Sequence, residues 1–547
     1  MDTKRLILFV VFSFSLLLLW DSWQRQHMNS TAEPAAVSQD GIPNPSEAII
    51  KQDGLPTNVS NYELFKGNTI DVNTDKFHLR ISEMGGDIRQ LSLPGHLADN
   101  SSQEYELFSD RAEPLLYIAQ SGLLGDGLPT HKSKFVFDQT SYSMNADTLS
   151  VPMTYDSSEV RVTKTYQFAR HSYLINVRYD IENKSTLILS PSAYYQLIHD
   201  GNSNQGSHLT PTFTGSAFFT EQENFKKLAF SKVDKEAFSL VTNDGWMGII
   251  QRYFASAWIL SEKTSRELYS KKVADNVYAA GMITKLPDVS PQQKISFDIK
   301  LYAGPQNKDD LVLAAPGMKY TVDYGWLTFV AAPLFSVLSG IHKMVNNWGI
   351  SIILLTVLIK ILFYPLSAAS YRSMAQMREL APRLQSMKER FGDDKQKMQQ
   401  AMMELYRAEK INPLGGCLPI LIQIPVFIGL YWMLLGSVEL RNAPFMWLAD
   451  LSQPDTLFGH ILGFPLGPLP ILMAASMFLQ TKLNPKPTDP MQAKLMMWMP
   501  IVFSIFFFFF PAGLVLYWLV NNILSIAQQS FVNKKIHAEA LKKKGNA

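Results

Sequence analysis

The longest uncharged stretch of the chain, residues 495–533, most restricts what the chain can fold into. As one α-helix it would be about 58 Å long, whereas the hydrocarbon core of a bilayer is only about 30 Å thick. Pro511-Ala512-Gly513 lies inside the stretch and favours a turn. We therefore predict two membrane passes, at about residues 495–510 and 513–532, joined by a very short hairpin.

Three further apolar stretches predict passes at about residues 348–366, 415–436 and 467–481, the first of which contains Lys360. Residues 325–345 are also apolar, and they fit either a pass or an amphipathic helix at the membrane interface. We favour the interfacial helix because Lys343 and Asn346-Asn347 lead almost at once into the next apolar stretch. The membrane core is thus expected over residues 346–533.

The N-terminus carries Lys4 and Arg5 before an apolar run over residues 6–19. A cleaved signal peptide or an uncleaved anchor fits this pattern. We favour an anchor over residues 1–23, since Trp20 and Trp23 stand where a small-residue cleavage site is expected. The positive charges place the N-terminus in the cytoplasm, so the region that follows is exported.

The charges of the loops alternate as a six-pass chain with both termini in the cytoplasm requires. Residues 369–411 contain nine Lys and Arg against six acidic residues, and residues 482–494 contain three Lys against one Asp. The tail, residues 534–547, contains five Lys and one Glu. Residues 439–455 contain one Arg and three acids, which suits an exported loop. The tail suits ribosomal RNA or anionic lipid as a partner, or serves as a topology signal alone.

The exported region divides into a linker and a β-rich domain. Residues 24–61 contain no aromatic residue and cannot bury enough surface to order themselves, so they are expected to be a flexible linker. Residues 62–318 alternate polar and apolar side chains, as in Val160-Arg161-Val162-Thr163-Lys164-Thr165-Tyr166. This pattern predicts a large all-β sandwich, and with a single cysteine, Cys417, it has no internal disulfide.

The sequence offers little catalytic chemistry. His199, Asp200 and His208 lie close together among Gly, Asn and Ser, but their spacing fits no strong metal template, and we interpret them as an ordinary polar loop. We find no phosphate-binding glycine loop, zinc-protease motif or nucleophile elbow. The chain is therefore not expected to be an enzyme, and we expect no catalytic residue, metal or cofactor.

The charged interval 369–411 is expected to form a cytoplasmic helical hairpin. Its turn is predicted at Phe391-Gly392-Asp393-Asp394, and its apolar residues follow helical spacing. The hairpin is either a solvated structure without a task or a docking arm for nascent chains and targeting factors, for which flexible methionines are suited. The candidate docking residues are Met377, Leu384, Met387, Met398 and Met402.

Lys360 lies inside a predicted pass, where a cation costs about 2.5–3.5 kcal/mol even on the permissive insertion scale. One interpretation is that its side chain reaches the nearby membrane surface. The other is a wet, basic groove, because Thr356 shares its helix face and polar residues occur in the later passes. These polar residues are Gln423, Gln480, Asn521, Asn522 and Gln528.

Several motifs together resemble the YidC insertase family over the whole chain. The most specific is Asn412-Pro413-Leu414-Gly415-Gly416-Cys417-Leu418-Pro419, followed by Leu421-Ile422-Gln423-Ile424-Pro425-Val426-Phe427. The others are Tyr364-Pro365-Leu366, Gly436-Ser437-Val438-Glu439-Leu440-Arg441, Asp489-Pro490-Met491-Gln492 and Gly513-Leu514-Val515-Leu516-Tyr517-Trp518.

The resemblance implies an α-helical polytopic bundle in the bacterial inner membrane, with five core transmembrane helices, an N-terminal anchor and a periplasmic β-sandwich. It implies an insertase and chaperone for membrane proteins with a groove open to cytoplasm and lipid. Lys360 takes the place of the family's basic groove residue, often arginine, and lysine keeps the charge but not the bidentate fork. Tyr517 and Trp518 match aromatic positions that face substrate, although packing alone would also explain them.

The implied partners are nascent membrane proteins, the lipid bilayer and the Sec translocon, with the ribosome and the signal recognition particle receptor as candidates. No small-molecule substrate is expected. Two other functions fit the residues without the resemblance. A solute transporter with a periplasmic β-domain would also need a wet groove, although we see no internal repeat. A membrane-anchored scaffold would bury the same polar groups for packing alone.

Overall fold

The computed structural model describes residues 62–545 apart from residues 63, 66, 100, 112–114, 203–211, 323, 392–393, 410–417, 462–463, 484–493, 495–496 and 499–503. The predicted anchor and linker, Cys417, His208 and part of the predicted pass 495–510 therefore lie outside the described residues. The described chain divides into two compact units. We call residues 62–322 the β unit and residues 324–545 the helical unit.

The β unit contains two large sheets. Their strands are β1 (Thr69–Asn73), β2 (His78–Ser82), β3 (Ile88–Leu97), β4 (Glu104–Asp110), β5 (Leu116–Leu124), β6 (Ser141–Ser143), β7 (Thr148–Asp156), β8 (Val160–Ala169), β9 (Leu174–Asn183), β10 (Ser192–Asp200), β11 (Gly215–Thr220), β12 (Asn224–Ala229), β13 (Phe238–Thr242), β14 (Trp246–Ile250), β15 (Phe254–Ile259), β16 (Arg266–Ala274), β17 (Val277–Lys285) and β18 (Lys294–Pro305). One sheet has the strand order β13-β16-β17-β10-β5-β4-β3-β2-β1-β6 and the other β12-β11-β14-β15-β18-β9-β8-β7. Neighbouring strands are antiparallel, except that β1 and β6 are parallel.

The two sheets pack face to face. The buried residues of β8 alternate with residues that are not buried, as the period of two predicts, and they are Val160, Val162, Lys164, Tyr166 and Phe168. Across the sandwich, the Ser121 hydroxyl lies 2.8 Å from the Tyr179 hydroxyl. The predicted β-sandwich is confirmed.

The polar loop predicted around His199 and Asp200 is wrong. Both residues end strand β10 and are buried. The Nδ1 of His199 bonds to the backbone carbonyl of Asp200, and its Nε2 accepts from the Gln251 amide at 3.3 Å. Strand pairing with β5 and β17 overrides the polar character of these side chains. Burial lowers the pKa of His199 to about 4, which keeps the ring neutral.

The helices of the β unit are α1 (Phe230–Val233) and α2 (Lys308–Ala314). Those described in the helical unit are α3 (Thr328–Val345), α4 (Trp348–Leu362), α5 (Tyr364–Glu379), α6 (Ala381–Phe391), α7 (Lys395–Ala408), α8 (Leu418–Gly436), α9 (Pro468–Leu483) and α10 (Ala512–Gly545). Short 3-10 turns cover Met318–Thr321, Gly325–Leu327 and Val438–Leu440, and two short strands, β19 (His460–Ile461) and β20 (Phe464–Pro465), pair with each other. Helix α10 packs against α4, α5, α8 and α9, and therefore lies at the centre of the described helices.

One described helix, α3, is long and apolar enough by itself to cross a membrane. Helices α4 and α5 meet this criterion only as a pair, and they are bent by 67° at the break between them. The helix of the predicted pass 348–366 thus ends at Leu362, because Pro365 lacks a backbone N–H and suits the first turn of a new helix. Lys360 consequently lies in the last turn of α4.

Candidate functional site

The Lys360 side chain is 7% exposed and faces helix α10. Its Nζ donates to the Ser525 hydroxyl at 2.7 Å, and that hydroxyl donates to the Asn521 carbonyl at 2.7 Å. Because Lys360 lies in the last turn of α4, the negative end of the helix dipole also favours its charge. The ammonium is therefore held inside the helical unit rather than extended along its surface.

A second hydrogen bond crosses from α8 to α10 one helical turn away from Ser525. The Gln423 amide donates to the Asn521 side-chain oxygen at 2.8 Å. Gln528, one turn further along α10, directs its amide at the Lys360 carbonyl at 3.5 Å. These contacts bring Lys360, Gln423 and Asn521 to one polar seam between α4, α8 and α10.

A small cavity adjoins this seam. Its volume is about 20 Å³, which is room for about one water molecule. Lys360 and Gln423 are its polar walls together with Ser367 of α5. The remaining lining residues are apolar: Ile359, Phe363, Leu366 and Val426. The seam can thus hold a water molecule or a single polar atom beside the ammonium.

Two other predicted groove residues have different surroundings. Thr356 is buried, but its hydroxyl donates to the Ile352 carbonyl of its own helix at 2.6 Å. Gln480 is half-buried on α9, and among the described residues no hydrogen bond joins it to Lys360 or Gln423. The polar contact between α9 and α10 is made instead by Asn522, whose amide donates to the Ser476 hydroxyl at 3.2 Å.

The two aromatic candidates, Tyr517 and Trp518, lie on α10. Tyr517 is buried beside Gln423. Trp518 is half-buried, with its ring centroid 4.3 Å from Phe427 and 5.2 Å from Phe507. Ring packing therefore accounts for much of the Trp518 surface, while Tyr517 extends the polar seam along α10.

The charged interval 369–411 forms helices, with a break that the sequence pattern did not predict. Met377 lies on α5, which ends at Glu379, while Leu384 and Met387 lie on α6, and Met398 and Met402 on α7. Each of these five side chains is half-buried. Asp394 is the predicted N-cap of α7 and accepts from the Lys397 backbone N–H at 3.1 Å. Arg383 and Glu409 join α6 to the end of α7 at 2.7 Å.

Ser525 is the functional candidate that sequence reasoning missed. A serine is too common in membrane helices to attract notice by itself. The signal available was its spacing, since Ser525 lies four residues after Asn521 and three before Gln528, on one face of a helix. Within the described ranges, no group of three or more potential metal ligands occurs.

Residues 69–337 match the family described as YidC periplasmic domain, and residues 340–539 match the family described as 60Kd inner membrane protein. The chain is 54% identical to the membrane protein insertase YidC of Methylobacillus flagellatus and 48% identical to that of Laribacter hongkongensis, with 100% of each chain covered in both cases. A crystal structure of an active YidC insertase is similar with a TM-score of 0.40 and 18% identity, covering 85% of this chain and 92% of that one.

Proposed function

The chain belongs to the YidC family of membrane protein insertases, and from that membership we propose that it inserts and helps to fold inner-membrane proteins through a basic groove around Lys360. In this proposal Lys360 transiently attracts the acidic, hydrophilic part of a substrate's translocated segment. Gln423, Asn521 and Tyr517 provide polar contacts along the same route, and Thr356, Gln480 and Trp518 line it. The hydrophobic segment of the substrate then leaves along the bundle into lipid.

The observation that carries this proposal is the incomplete pairing of a buried cation. Among the residues that the structure describes, no acidic side chain lies within ion-pair distance of Lys360, and its ammonium is bonded to one hydroxyl. An ammonium has three N–H donors, so two remain for water or for a ligand. A carboxylate of a passing substrate would make the charge-assisted bonds that the protein itself does not supply.

The energetics need no nucleotide. Moving a polar tail through dry hydrocarbon costs several kcal/mol per unpaired polar group, and a partly hydrated groove shortens the dry path. Partition of the apolar segment into lipid favours the inserted state, and the membrane potential contributes about 2.3 kcal/mol per charge per 100 mV. The protein therefore lowers a barrier, and the substrate and the membrane supply the driving force.

The same proposal includes the topology. We place the β unit in the periplasm and both termini in the cytoplasm, with an N-terminal anchor at residues 1–23 and five clustered passes in the core. Helix α3 would lie at the interface, and helices α6 and α7 would form the cytoplasmic hairpin over residues 369–411. The alternating charges of the loops support this arrangement.

The cytoplasmic side offers two docking surfaces in this proposal. One is the half-buried methionine stripe of the hairpin, which suits nascent chains or the signal recognition particle receptor. The other is the end of α10, where Lys534 and Lys535 are exposed and suit ribosomal RNA. We further propose that the protein works either alone or beside the Sec translocon and that it requires no cofactor or small-molecule substrate.

The experiment that tests the groove replaces the host's own insertase by this chain and by its Lys360→Arg, Lys360→Ala and Lys360→Glu variants. The readout is the protease accessibility of a single-pass substrate with an acidic translocated tail. Wild type and Lys360→Arg are expected to insert it, whereas alanine and glutamate reduce insertion at least tenfold because the attraction is lost or reversed. Lys482→Ala is the matched control, since Lys482 is an exposed cation at the end of α9.

Equal insertion by all four forms would show that Lys360 only reaches the membrane surface and that the groove mechanism is wrong. Failure of the wild type, when it is well expressed and embedded in the membrane, would count against the insertase proposal itself.

A further inference from the structure

The segment between α8 and α9 has a rigid base. Asp455 is buried, and its carboxylate accepts from the Leu469 backbone N–H at 2.8 Å and from the Trp447 indole at 3.2 Å. The first two backbone N–H groups of α10 donate to the carbonyls of Gln453 and Leu451, each at 2.8 Å. This base therefore ties together the ends of α9 and α10 that point away from the basic tail.

An apolar hairpin projects from this base. We define the apolar hairpin as residues 457–461 and 464–465, which contain the paired strands β19 and β20. Its four large apolar side chains are 45–58% exposed, and Met446 of the base is 76% exposed. The four are Leu457, Phe458, Ile461 and Phe464. A hairpin that exposes this much apolar surface has the character of a docking surface.

The charges identify the partner. No Asp, Glu, Lys or Arg occurs between residues 456 and 481, a stretch that includes the hairpin and nearly all of α9. A nucleic acid or an anionic headgroup would be recognised by cations, and a specific protein interface normally has a polar, charged rim. The hairpin has no Lys, Arg, Asp or Glu, and His460 is its one ionisable side chain, so the chemistry that fits it is the apolar boundary of a lipid leaflet.

The hairpin is also continuous with the apolar surface of the bundle. The Phe464 ring lies 5.4 Å from the Phe509 ring, in a run whose Ile505 and Phe506 are half exposed. On the other side the chain enters α9, where Ile471 and Leu472 are exposed to a similar extent. Exposed apolar surface of the helical unit thus flanks the hairpin on both sides.

We propose that the apolar hairpin inserts into the leaflet beside it, at the level where headgroups meet acyl chains, and fixes the ends of α9 and α10 at that depth. This leaflet is the periplasmic one if the topology proposed above holds. The insertion depth itself does not depend on that topology or on insertase activity. Because no cation takes part, anchoring requires neither anionic lipid nor low salt.

The test places one fluorophore on the hairpin of the full-length protein in liposomes. Cys417→Ser removes the sole native thiol, and Phe458→Cys then accepts an environment-sensitive nitrobenzoxadiazole label. Phosphatidylcholine liposomes contain doxyl groups at acyl carbon 5 or 12 in both leaflets. We expect carbon-5 lipids to quench the label at least twofold more than carbon-12 lipids, unchanged by 0.5 M salt or by added phosphatidylglycerol.

The matched control is Leu187→Cys, a side chain of the β unit that is 73% exposed, which should remain in water and show little quenching by either lipid. Thermal unfolding of each labelled protein verifies that it is folded. A Phe458 label that is quenched no more than the Leu187 label would overturn the proposal. So would a signal that appears only at high protein-to-lipid ratio, since that would identify a second copy of the chain as the partner.

Discussion

Both units of the molecule bury lysine, and Lys164 of the β unit is partnered differently from Lys360 of the helical unit. In the β unit, Lys164 is fully buried and donates to the carbonyls of Gly85 at 3.0 Å and Gly86 at 2.9 Å. The rings of Tyr166 and Tyr179 lie 5.3 and 5.5 Å from the same ammonium. In the helical unit, Lys360 has one hydroxyl partner and a small cavity beside it.

The difference separates a structural cation from one available to a ligand. Burial lowers the pKa of Lys164 to about 7, and its carbonyl partners hold it in either protonation state. Nearby Asp87 is also buried, and its carboxylate accepts from Gln120 at 2.8 Å and from Arg89 at 3.3 Å, so this buried charge has an opposite charge beside it. Around Lys360 the pairing is incomplete. Loss of Lys164 should therefore affect folding, and loss of Lys360 should affect insertion.

The largest expected effect on stability comes from Lys164→Ala. The change leaves two glycine carbonyls short of a donor and removes the cation near Asp87, which we expect to cost about 3–5 kcal/mol of the unfolding free energy of the β unit. Hydrogen exchange measured by mass spectrometry on the full-length protein should show faster exchange in β7, β8 and β9. The helical unit should keep its protection.

Lys164→Met is the control for that change, because methionine restores most of the volume without the donor, and we expect about half the loss. If the strands keep full protection in Lys164→Ala, the carbonyls need no buried donor, and the contrast between the two lysines fails.

Acid provides a second, smaller way to separate the units. The pKa of His199 in the folded β unit is about 4 against an ordinary value of 6.5 because of burial. Below about pH 6.5 the unfolded chain therefore takes up a proton that the folded chain refuses, and stability is lost until the pH reaches about 4. At pH 5 this loss is about 2 kcal/mol relative to neutral pH.

The measurement compares wild type with His199→Gln, which keeps a polar side chain opposite Gln251 but cannot titrate. Between pH 7 and pH 5, the unfolding free energy of the variant should fall by about 2 kcal/mol less than that of wild type. The unfolding free energy is measured by denaturant titration, with hydrogen exchange in β10 as the readout. Asp87 acts in the opposite sense, because burial raises its pKa to about 6 and protonation then favours the folded state. Parallel pH curves for wild type and variant would show that His199 does not titrate as its burial requires.

The sequence predicted the strands more accurately than the site, for a physical reason. Alternation is a local pattern, and the run Val160-Arg161-Val162 lies in β8 as expected. The buried positions of His199 and Asp200 depend on β5 and β17, which are distant in sequence, so local composition was misleading. The bend at Phe363 had a local signal in Pro365. Because the apolar run 348–366 has the length of an ordinary membrane pass, it was predicted as one pass without a bend.

The polar residues of the helical unit were recognised because charge and amide groups are rare in apolar runs. Their pairing could not be predicted, because which residue of α10 faces Lys360 depends on how α4 and α10 pack. Thr356 shows the same limit, since the expected groove hydroxyl bonds within its own helix. Residue type indicated where polar contacts would occur, and only the packing selected Ser525 as the partner of Lys360.

The smallest expected effect comes from Ser525→Ala and tests how the groove cation is held. Removing the hydroxyl takes away the one side-chain partner of the Lys360 ammonium among the described residues, although the adjacent cavity can admit a water molecule in its place. We therefore expect a loss of about 1 kcal/mol, or about fivefold in the initial insertion rate of a substrate with an acidic tail. A substrate with an uncharged tail should insert at the wild-type rate, since Ser525 acts only through the charge.

Ser525→Thr keeps the hydroxyl and should restore insertion of the acidic substrate, while Ser530→Ala alters a half-buried serine of the same helix away from Lys360. If acidic and uncharged tails slow equally in Ser525→Ala, the hydroxyl supports helix packing rather than the position of the ammonium. If insertion becomes faster, Ser525 competes with the substrate for Lys360. Even the single hydrogen bond from Lys360 to Ser525 would then hinder insertion. A Lys360 ammonium without this bond would be the most active form of the groove.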